Sequence, residues 1–171
     1  ITIQTLPRAR MQRAVPQAAC FVVPRVSSWA EFRQARRSAG ALDWTTLETR
    51  ERVAIFIPSD VSPQEVRDCL HEEIGQALGP LNDLYRLSDS VFNDDNFHAV
   101  LTGFDMLILR TYYDDALASG MSRAEVAARL PAILARLNPT GNRAAASGPS
   151  RPHRQWIASM EDALGDRLPL Q

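Results

Sequence analysis

The stretch SPQEVRDCLHEEIGQALGPLND, residues 62–83, decides the fold class because it contains a complete helix with both of its ends. Ser62 with Glu65 three residues later is the pattern of a helix-capping box. The Gly-Pro pair at residues 79–80 is typical of a helix end, since proline cannot continue a helix. The stretch therefore predicts one long helix over residues 63–78.

One carboxylate of this helix lies where an apolar side chain is expected. At 100° per residue, Glu73 falls inside the apolar stripe, between the directions of Cys69 and Val66. Glu72 and Gln76, four residues apart, flank that stripe. A buried carboxylate costs several kcal/mol unless it has a partner. Two interpretations stay open: a structural Glu73 satisfied by an arginine or by backbone amides of the next loop, or a working carboxylate on the floor of a cleft.

Strands come before the long helix and further helices follow it. The apolar runs at 20–24 and 53–58 have the length of buried strands, and residues 1–6 alternate like a strand that has lost an upstream partner. Capping patterns and periodicity predict helices over residues 8–14, 28–38, 102–113 and 122–137. This order predicts an α/β (α+β) fold with a mixed, twisted sheet and a helical C-terminal part.

We predict one domain over residues 1–138 that lacks some upstream residues. Residues 139–153 are rich in Gly, Ala, Ser, Pro and Arg, which predicts a linker. Residues 154–171 predict a short terminal helix and a tail.

Composition excludes some classes of partner. The chain has 171 residues, of which 45% are hydrophobic and 23% charged, as in globular proteins. No apolar run approaches the ~20 residues that cross a bilayer. The formal net charge is −1, and the 19 basic residues, all arginine, are spread along the chain. We therefore expect no nucleic-acid partner and no transmembrane segment, while the oligomeric state is not predicted.

The two cysteines, Cys20 and Cys69, lie in a predicted strand and a predicted helix. Two buried reduced thiols and one disulfide are both compatible with this placement, and the residues alone leave the choice open.

The long helix resembles the active-site helix of metzincin (zincin) metalloproteases, which carry H-E-x-x-H-x-x-G-x-x-H. Residues 72–82 have the same spacing. The general-base position is matched by Glu73 and the glycine position by Gly79. The three zinc-binding histidines are replaced by Glu72, Gln76 and Asn82. Beyond the helix, Ser90 and Phe92 stand where these proteases have the S-x-M of their Met-turn, and L-T-x-x-D recurs at residues 101–105.

The chain also resembles the bacterial DUF2927 family, over most of residues 20–141. The family patterns C-L-x-E-E-x-x-Q-x-L-G-x-x-N-D, S-[IV]-F-N-D-D and L-T-x-F-D correspond to residues 69–83, 90–95 and 101–105. Members are typically exported, often as lipoproteins. The resemblance implies a periplasmic or exported location, a lipoprotein anchor on a missing N-terminal region, and a disulfide between Cys20 and Cys69.

The substitutions change the metal that the site could hold. Zinc prefers thiolate and imidazole ligands. A set formed by Glu72, Gln76, Asn82 and Asp83 offers only oxygen atoms, which suits calcium, magnesium or manganese better. We therefore expect no zinc at a histidine site, and an oxygen-ligated divalent metal stays a possibility.

A second polar cluster, Asn93, Asp94 and Asp95, follows Ser90. These residues are common in turns, which explains them without any function. Alternatively, this loop closes over the helix and contributes ligands or hydrogen bonds to Glu73.

Three functional hypotheses follow. The first is a non-catalytic relative of zinc proteases that binds a peptide or an envelope protein. The second is an atypical hydrolase, with or without a metal, in which Glu73 is the general base. The third is a purely structural envelope protein.

Overall fold

Residues 1–81, 84, 86–87, 90–93 and 100–141 are described by the structure, a computed structural model. They form a mixed α+β fold. Its elements, in chain order, are β1 (Thr2–Leu6), α1 (Arg8–Gln12), β2 (Phe21–Pro24), α2 (Trp29–Ala35), β3 (Val53–Pro58), α3 (Pro63–Leu78), α4 (Gly103–Tyr112) and α5 (Arg123–Leu137).

The three strands form one mixed sheet in the order β1-β3-β2. Strand β1 runs parallel to β3 with Ile3 opposite Ile55, and β2 runs antiparallel to β3 with Val22 opposite the same residue. All six residues of β3 are buried. The continuous apolar run at 53–58 thus correctly predicted a strand covered on both faces.

Side chains of β3 alternate between two cores, because successive residues of a strand point to opposite faces. Ala54 and Phe56 pack with α1 and α2, where Trp29 and Phe32 join a group of tilted aromatic rings with centroids 5.1–6.3 Å apart. Ile55 and its neighbours two residues away on either side pack against α3. The sheet is therefore a layer between two short helices and one long helix.

Helix α3 begins and ends where the sequence predicts. The Ser62 hydroxyl accepts a hydrogen bond from the Glu65 backbone N–H at 3.2 Å. The predicted second half of the capping box does not form, and the Glu65 carboxylate instead pairs with Arg8. The helices α4 and α5 do have complete capping boxes, formed by Thr102 with Asp105 and by Ser122 with Glu125.

The carbonyl groups at the end of α3 are satisfied by residues from distant parts of the chain. The Arg50 guanidinium donates to the Ala77 carbonyl at 2.8 Å, and the Tyr113 hydroxyl donates to the Leu78 carbonyl at 2.5 Å. The last carbonyls of a helix have no partner within the helix, and its C-terminus favours a cation. These contacts therefore hold α3 against α4 and the segment before β3.

The predicted disulfide is confirmed: Cys20, directly before β2, is bonded to Cys69 in α3, with their Cα atoms 5.9 Å apart. It joins the edge strand to the long helix. None of the helices in the described part of the chain is long and apolar enough to span a membrane. The predicted linker is described only over residues 139–141, and the predicted terminal helix and tail, 154–171, lie outside the described residues.

We predict that replacing both Cys20 and Cys69 by serine lowers the free energy of unfolding by about 4 kcal/mol. Closing a loop across a sequence separation of 49 removes chain entropy from the unfolded state. Urea unfolding followed by circular dichroism measures the change, with dithiothreitol-treated wild-type protein as the matched control. Equal midpoints for oxidised and reduced wild-type protein would contradict the prediction.

A cleft between strand β2 and helix α3

An open cleft of about 720 Å³ lies between the segment that leads into β2 and one side of α3. Residues 17–22 form one wall, and Trp44, Leu81 and Val15 contribute apolar surface. The floor is polar and belongs to α3: Glu72, Glu73 and Gln76 line it together. The helical spacing explains this grouping, because residues three and four apart share one face.

Glu73 is 3% exposed, as its place inside the apolar stripe predicted. Glu72 and Gln76 are partly buried beside it. Glu72 and Glu73 both make contacts within the protein, so neither carboxylate is isolated. Of the residues described, no arginine or histidine lines the cleft. The floor therefore presents two carboxylates and an amide.

The structure brings three potential metal-ligating atoms within 4.8 Å of one another, from Cys20, Glu72 and Glu73. The Cys20 sulfur is bonded to Cys69. It is therefore not a thiolate, the form in which cysteine binds zinc. Zinc in proteins takes thiolate, imidazole and carboxylate ligands, usually four of them. The described residues offer two carboxylates and no imidazole here, so they do not fit a protease zinc site.

Some predicted site residues cannot be placed at the cleft. Asn82 and Asp83, the remaining predicted metal ligands, lie outside the described residues, as do Asp94 and Asp95 of the second polar cluster. Asn93 is described and buried, and its side-chain amide donates to the Leu87 carbonyl at 2.9 Å. The hypothesis that this loop closes over α3 stays a prediction.

Ser90 and Phe92 do not line the cleft, and they lie in a buried turn organised by Asp105. The Ser90 hydroxyl and the Val91 N–H donate to the Asp105 carboxylate at 2.5 and 3.2 Å, and the Thr102 N–H donates to it at 2.7 Å. Hydrogen bonds from three donors compensate the burial of a carboxylate that is 0% exposed. The S-x-F and L-T-x-x-D motifs are thus two halves of one hydrogen-bonded unit.

This turn supports α3 through the ring of Phe92. A Cβ atom added to Gly75 would lie 3.1 Å from one ring carbon of Phe92 and 3.2 Å from another. Phe92 is itself packed with Val91 and Leu109 in a third core. The glycine in the middle of α3 therefore permits the close approach of the Phe92 ring.

His71 links α3 to the segment that starts α4. It is partly buried, and its Nδ1 accepts a hydrogen bond from the Leu101 N–H at 3.3 Å. Burial lowers the pKa of His71, and the charge of Arg67 lowers it further. An imidazole that accepts at Nδ1 is not protonated there. His71 thus acts as a neutral boundary residue, on a side of α3 away from the cleft.

Sequence reasoning missed the wall of the cleft. Trp44 and the segment from Gln17 to Ala19 carry no motif, and only the folded chain brings them opposite Glu72 and Glu73. The disulfide was predicted, but its position beside the two carboxylates was not. The one available signal was that Cys69 precedes Glu72 and Glu73 by three and four residues.

With this fold and site in view, comparison with known proteins gives a family. The family described as "Protein of unknown function (DUF2927)" matches residues 2–132, so the chain belongs to that family. No curated protein matches the chain at a significant level. No solved structure matches it at a significant level either.

We predict that Gly75→Ala destabilises the protein although alanine is the better helix former. The added Cβ meets the confined ring of Phe92, and overpacking of this kind costs about 1–3 kcal/mol. In a Phe92→Leu background the same change is expected to stabilise, by up to ~1 kcal/mol. Thermal or urea unfolding of wild type, Gly75→Ala, Phe92→Leu and the double variant measures the sign of the stability change in each background.

Gly103→Ala is the matched control, because a Cβ there meets nothing within 4 Å. It should leave stability unchanged or slightly higher in both backgrounds. An equal effect of Gly75→Ala with and without Phe92 would show that the ring does not confine this position.

We predict that His71 makes the protein less stable in mild acid. Its folded pKa lies below the ordinary value of 6.5, so the unfolded chain binds the proton first. The free energy of unfolding therefore falls as the pH drops from 6.5 through the lower folded value. Urea unfolding at about pH 7.5 and about pH 5.5 should show a smaller loss for His71→Gln than for wild type. Identical losses in the two proteins would contradict this role.

Proposed function

We propose that the chain is an exported, metzincin-like domain that binds an extended segment of another polypeptide in the cleft between β2 and α3, without hydrolysing it. The observation that carries the proposal is the cleft itself. It is bounded by an edge strand on one side and by a carboxylate-bearing helix on the other. Each part of this arrangement matches one requirement of peptide binding.

The edge strand β2 provides main-chain groups with which a peptide can form hydrogen bonds. In the described sheet, β2 has a strand neighbour on one side only. An extended peptide binds such an edge by adding a strand, so that main-chain hydrogen bonds give affinity and alternate side chains enter pockets. The cleft extends along Phe21 and Val22 of β2 and the residues before them, which offers this edge to a ligand.

The floor supplies the selectivity. Glu72 and Glu73 place negative charge beneath a wall of small and aromatic residues that includes Ala19 and Trp44. Charge complementarity steers association and excludes ligands of the same sign. We therefore propose a ligand segment with a basic side chain or a terminal amine that reaches the floor, and with small or apolar neighbours.

Two further features support the metzincin-like and exported parts of the proposal. A long helix packs against an antiparallel edge strand, and Phe92 of the turn at residues 90–92 lies against Gly75 of that helix, which supports the metzincin-like part. The disulfide between Cys20 and Cys69 suits an oxidising compartment such as the periplasm.

A second function is favoured by one specific observation. Carboxylate oxygens of Glu72 and Glu73 lie within 4.8 Å of each other on the floor of the cleft. This pair could hold an oxygen-ligated divalent cation, and Glu73 could act as a general base toward water. The candidate function is an atypical hydrolase that acts on the same kind of peptide segment.

Selection from a random peptide library tests the proposal. We expect wild-type protein to enrich peptides that the Ala19→Trp variant does not retain, because the indole fills the cleft. Ala127→Trp is the matched control, since Ala127 is exposed on α5. Failure to enrich any peptide, or equal retention by Ala19→Trp, would contradict cleft binding and favour a purely structural protein.

The enriched peptides also separate binding from hydrolysis. Binding predicts that they stay intact during long incubation and that Glu73→Gln still retains them, whereas Glu72→Gln weakens peptides with a basic group. Mass spectrometry that shows cleavage by wild type and none by Glu73→Gln would establish the hydrolase instead.

A further inference from the structure

A second cavity, of about 490 Å³, lies beside α1 and α2, on the opposite face of the sheet from the acidic cleft. Its wall contains Ala14, Trp29 and five arginines, Arg10, Arg13, Arg33, Arg36 and Arg37. The arginines are spread along the sequence, but the fold brings some of them together. The fold gathers five of them around one cavity, which we call the arginine cavity.

The spacing on the two helices explains the grouping. Arg33, Arg36 and Arg37 are three and four residues apart, so they share one side of α2 and of the turn that follows it. Arg10 and Arg13 are three residues apart on α1 and at its end. The two helices pack on the same face of the sheet through Met11 and Phe32, which brings the two sets together.

The five guanidinium groups have no acidic partner in the described part of the chain. The ion pairs described there use other arginines, namely Arg8, Arg52 and Arg136. Residues 1–42 carry seven arginines and one acidic residue, Glu31, a net charge of +6. The Glu31 carboxylate already accepts from Arg52 and from the Ser27 N–H. Like charges gathered around one cavity repel each other and attract an anion.

Trp29 is the large apolar residue of the cavity wall. Its side chain is 4% exposed, and its indole N–H has no hydrogen-bond acceptor among the described residues. A buried donor without an acceptor costs about 1–3 kcal/mol. The Arg10 guanidinium lies 6.0 Å from the centre of the same ring. The cavity wall therefore combines five cations with one buried donor, and its described side chains include no carboxylate.

We propose that the arginine cavity binds a phosphate-bearing ligand, either a free phosphorylated molecule or the headgroup of a phospholipid. The planar fork of arginine matches the oxygens of phosphate and holds them with paired hydrogen bonds. Trp29 forms part of the same wall, so its indole lies beside the proposed ligand. This site is independent of the peptide-binding function, because it lies on the other side of the sheet.

Titration calorimetry with inorganic tripolyphosphate tests the site. We expect wild-type protein to bind it, and we expect Arg33→Gln/Arg36→Gln to weaken the affinity by about tenfold per arginine. Arg110→Gln/Arg123→Gln is the matched control, because it removes the same charge from exposed positions on α4 and α5. This control should bind like wild type.

The fluorescence of Trp29 tests whether the ligand binds at the arginine cavity itself. With Trp44 and Trp156 replaced by phenylalanine, the fluorescence of Trp29 should change as tripolyphosphate binds. Arg33→Gln/Arg36→Gln in that background should shift the midpoint to higher concentration. No binding by wild-type protein, equal weakening by the control pair, or an unchanged Trp29 signal at saturation would each overturn the proposal.

The two sources of phosphate are separated by sedimentation with vesicles of phosphatidylcholine, with and without phosphatidylglycerol. Retention that requires phosphatidylglycerol and is lost in Arg33→Gln/Arg36→Gln identifies a lipid headgroup. Tripolyphosphate binding without retention on either vesicle identifies a free phosphorylated ligand. Retention that both arginine pairs reduce equally, together with no tripolyphosphate binding, would mean that no such site exists.

Discussion

The covalent bond between Cys20 and Cys69 is the constraint on which the cleft depends. It holds the start of edge strand β2 at a fixed separation from α3, and the cleft lies between those two elements. The same helical turn that presents Cys69 presents Glu72 and Glu73, so the disulfide also sets how far the acidic floor lies from the wall. Packing of Val22 and Ile55 on α3 then fills the space behind the cleft.

The cavities on the two faces of the sheet carry opposite charge, because α1 and α2 cover one face and α3 covers the other. The segment up to residue 42 has a net charge of +6, and residues 43–171, with twelve arginines and nineteen acidic residues, have a net charge of −7. One face therefore presents the arginine cavity and the other the acidic floor. A net charge of −1 for the whole chain conceals this separation.

Local signals predicted the elements well, and long-range contacts explain what they missed. A continuous apolar run predicted strand β3, and capping residues predicted both ends of helix α3. The burial of Glu73 followed from helical periodicity alone. The role of Asp105 in holding Ser90 did not, because a helix-capping residue gives no sign of a second, distant partner. The cleft wall at Trp44 and the arginine cavity depend on tertiary packing of loops and short helices, for which periodicity carries no information.

The central claim is that the acidic floor serves to bind a polypeptide and not to hold a catalytic metal. The metal content of purified protein, measured by plasma mass spectrometry without added chelator and again after dialysis against zinc, manganese and calcium, tests this most directly. The account predicts that no metal approaches one ion per chain in either sample. A near-stoichiometric metal that is lost on Glu72→Ala or Gln76→Ala would contradict it and identify the cleft as a metal centre.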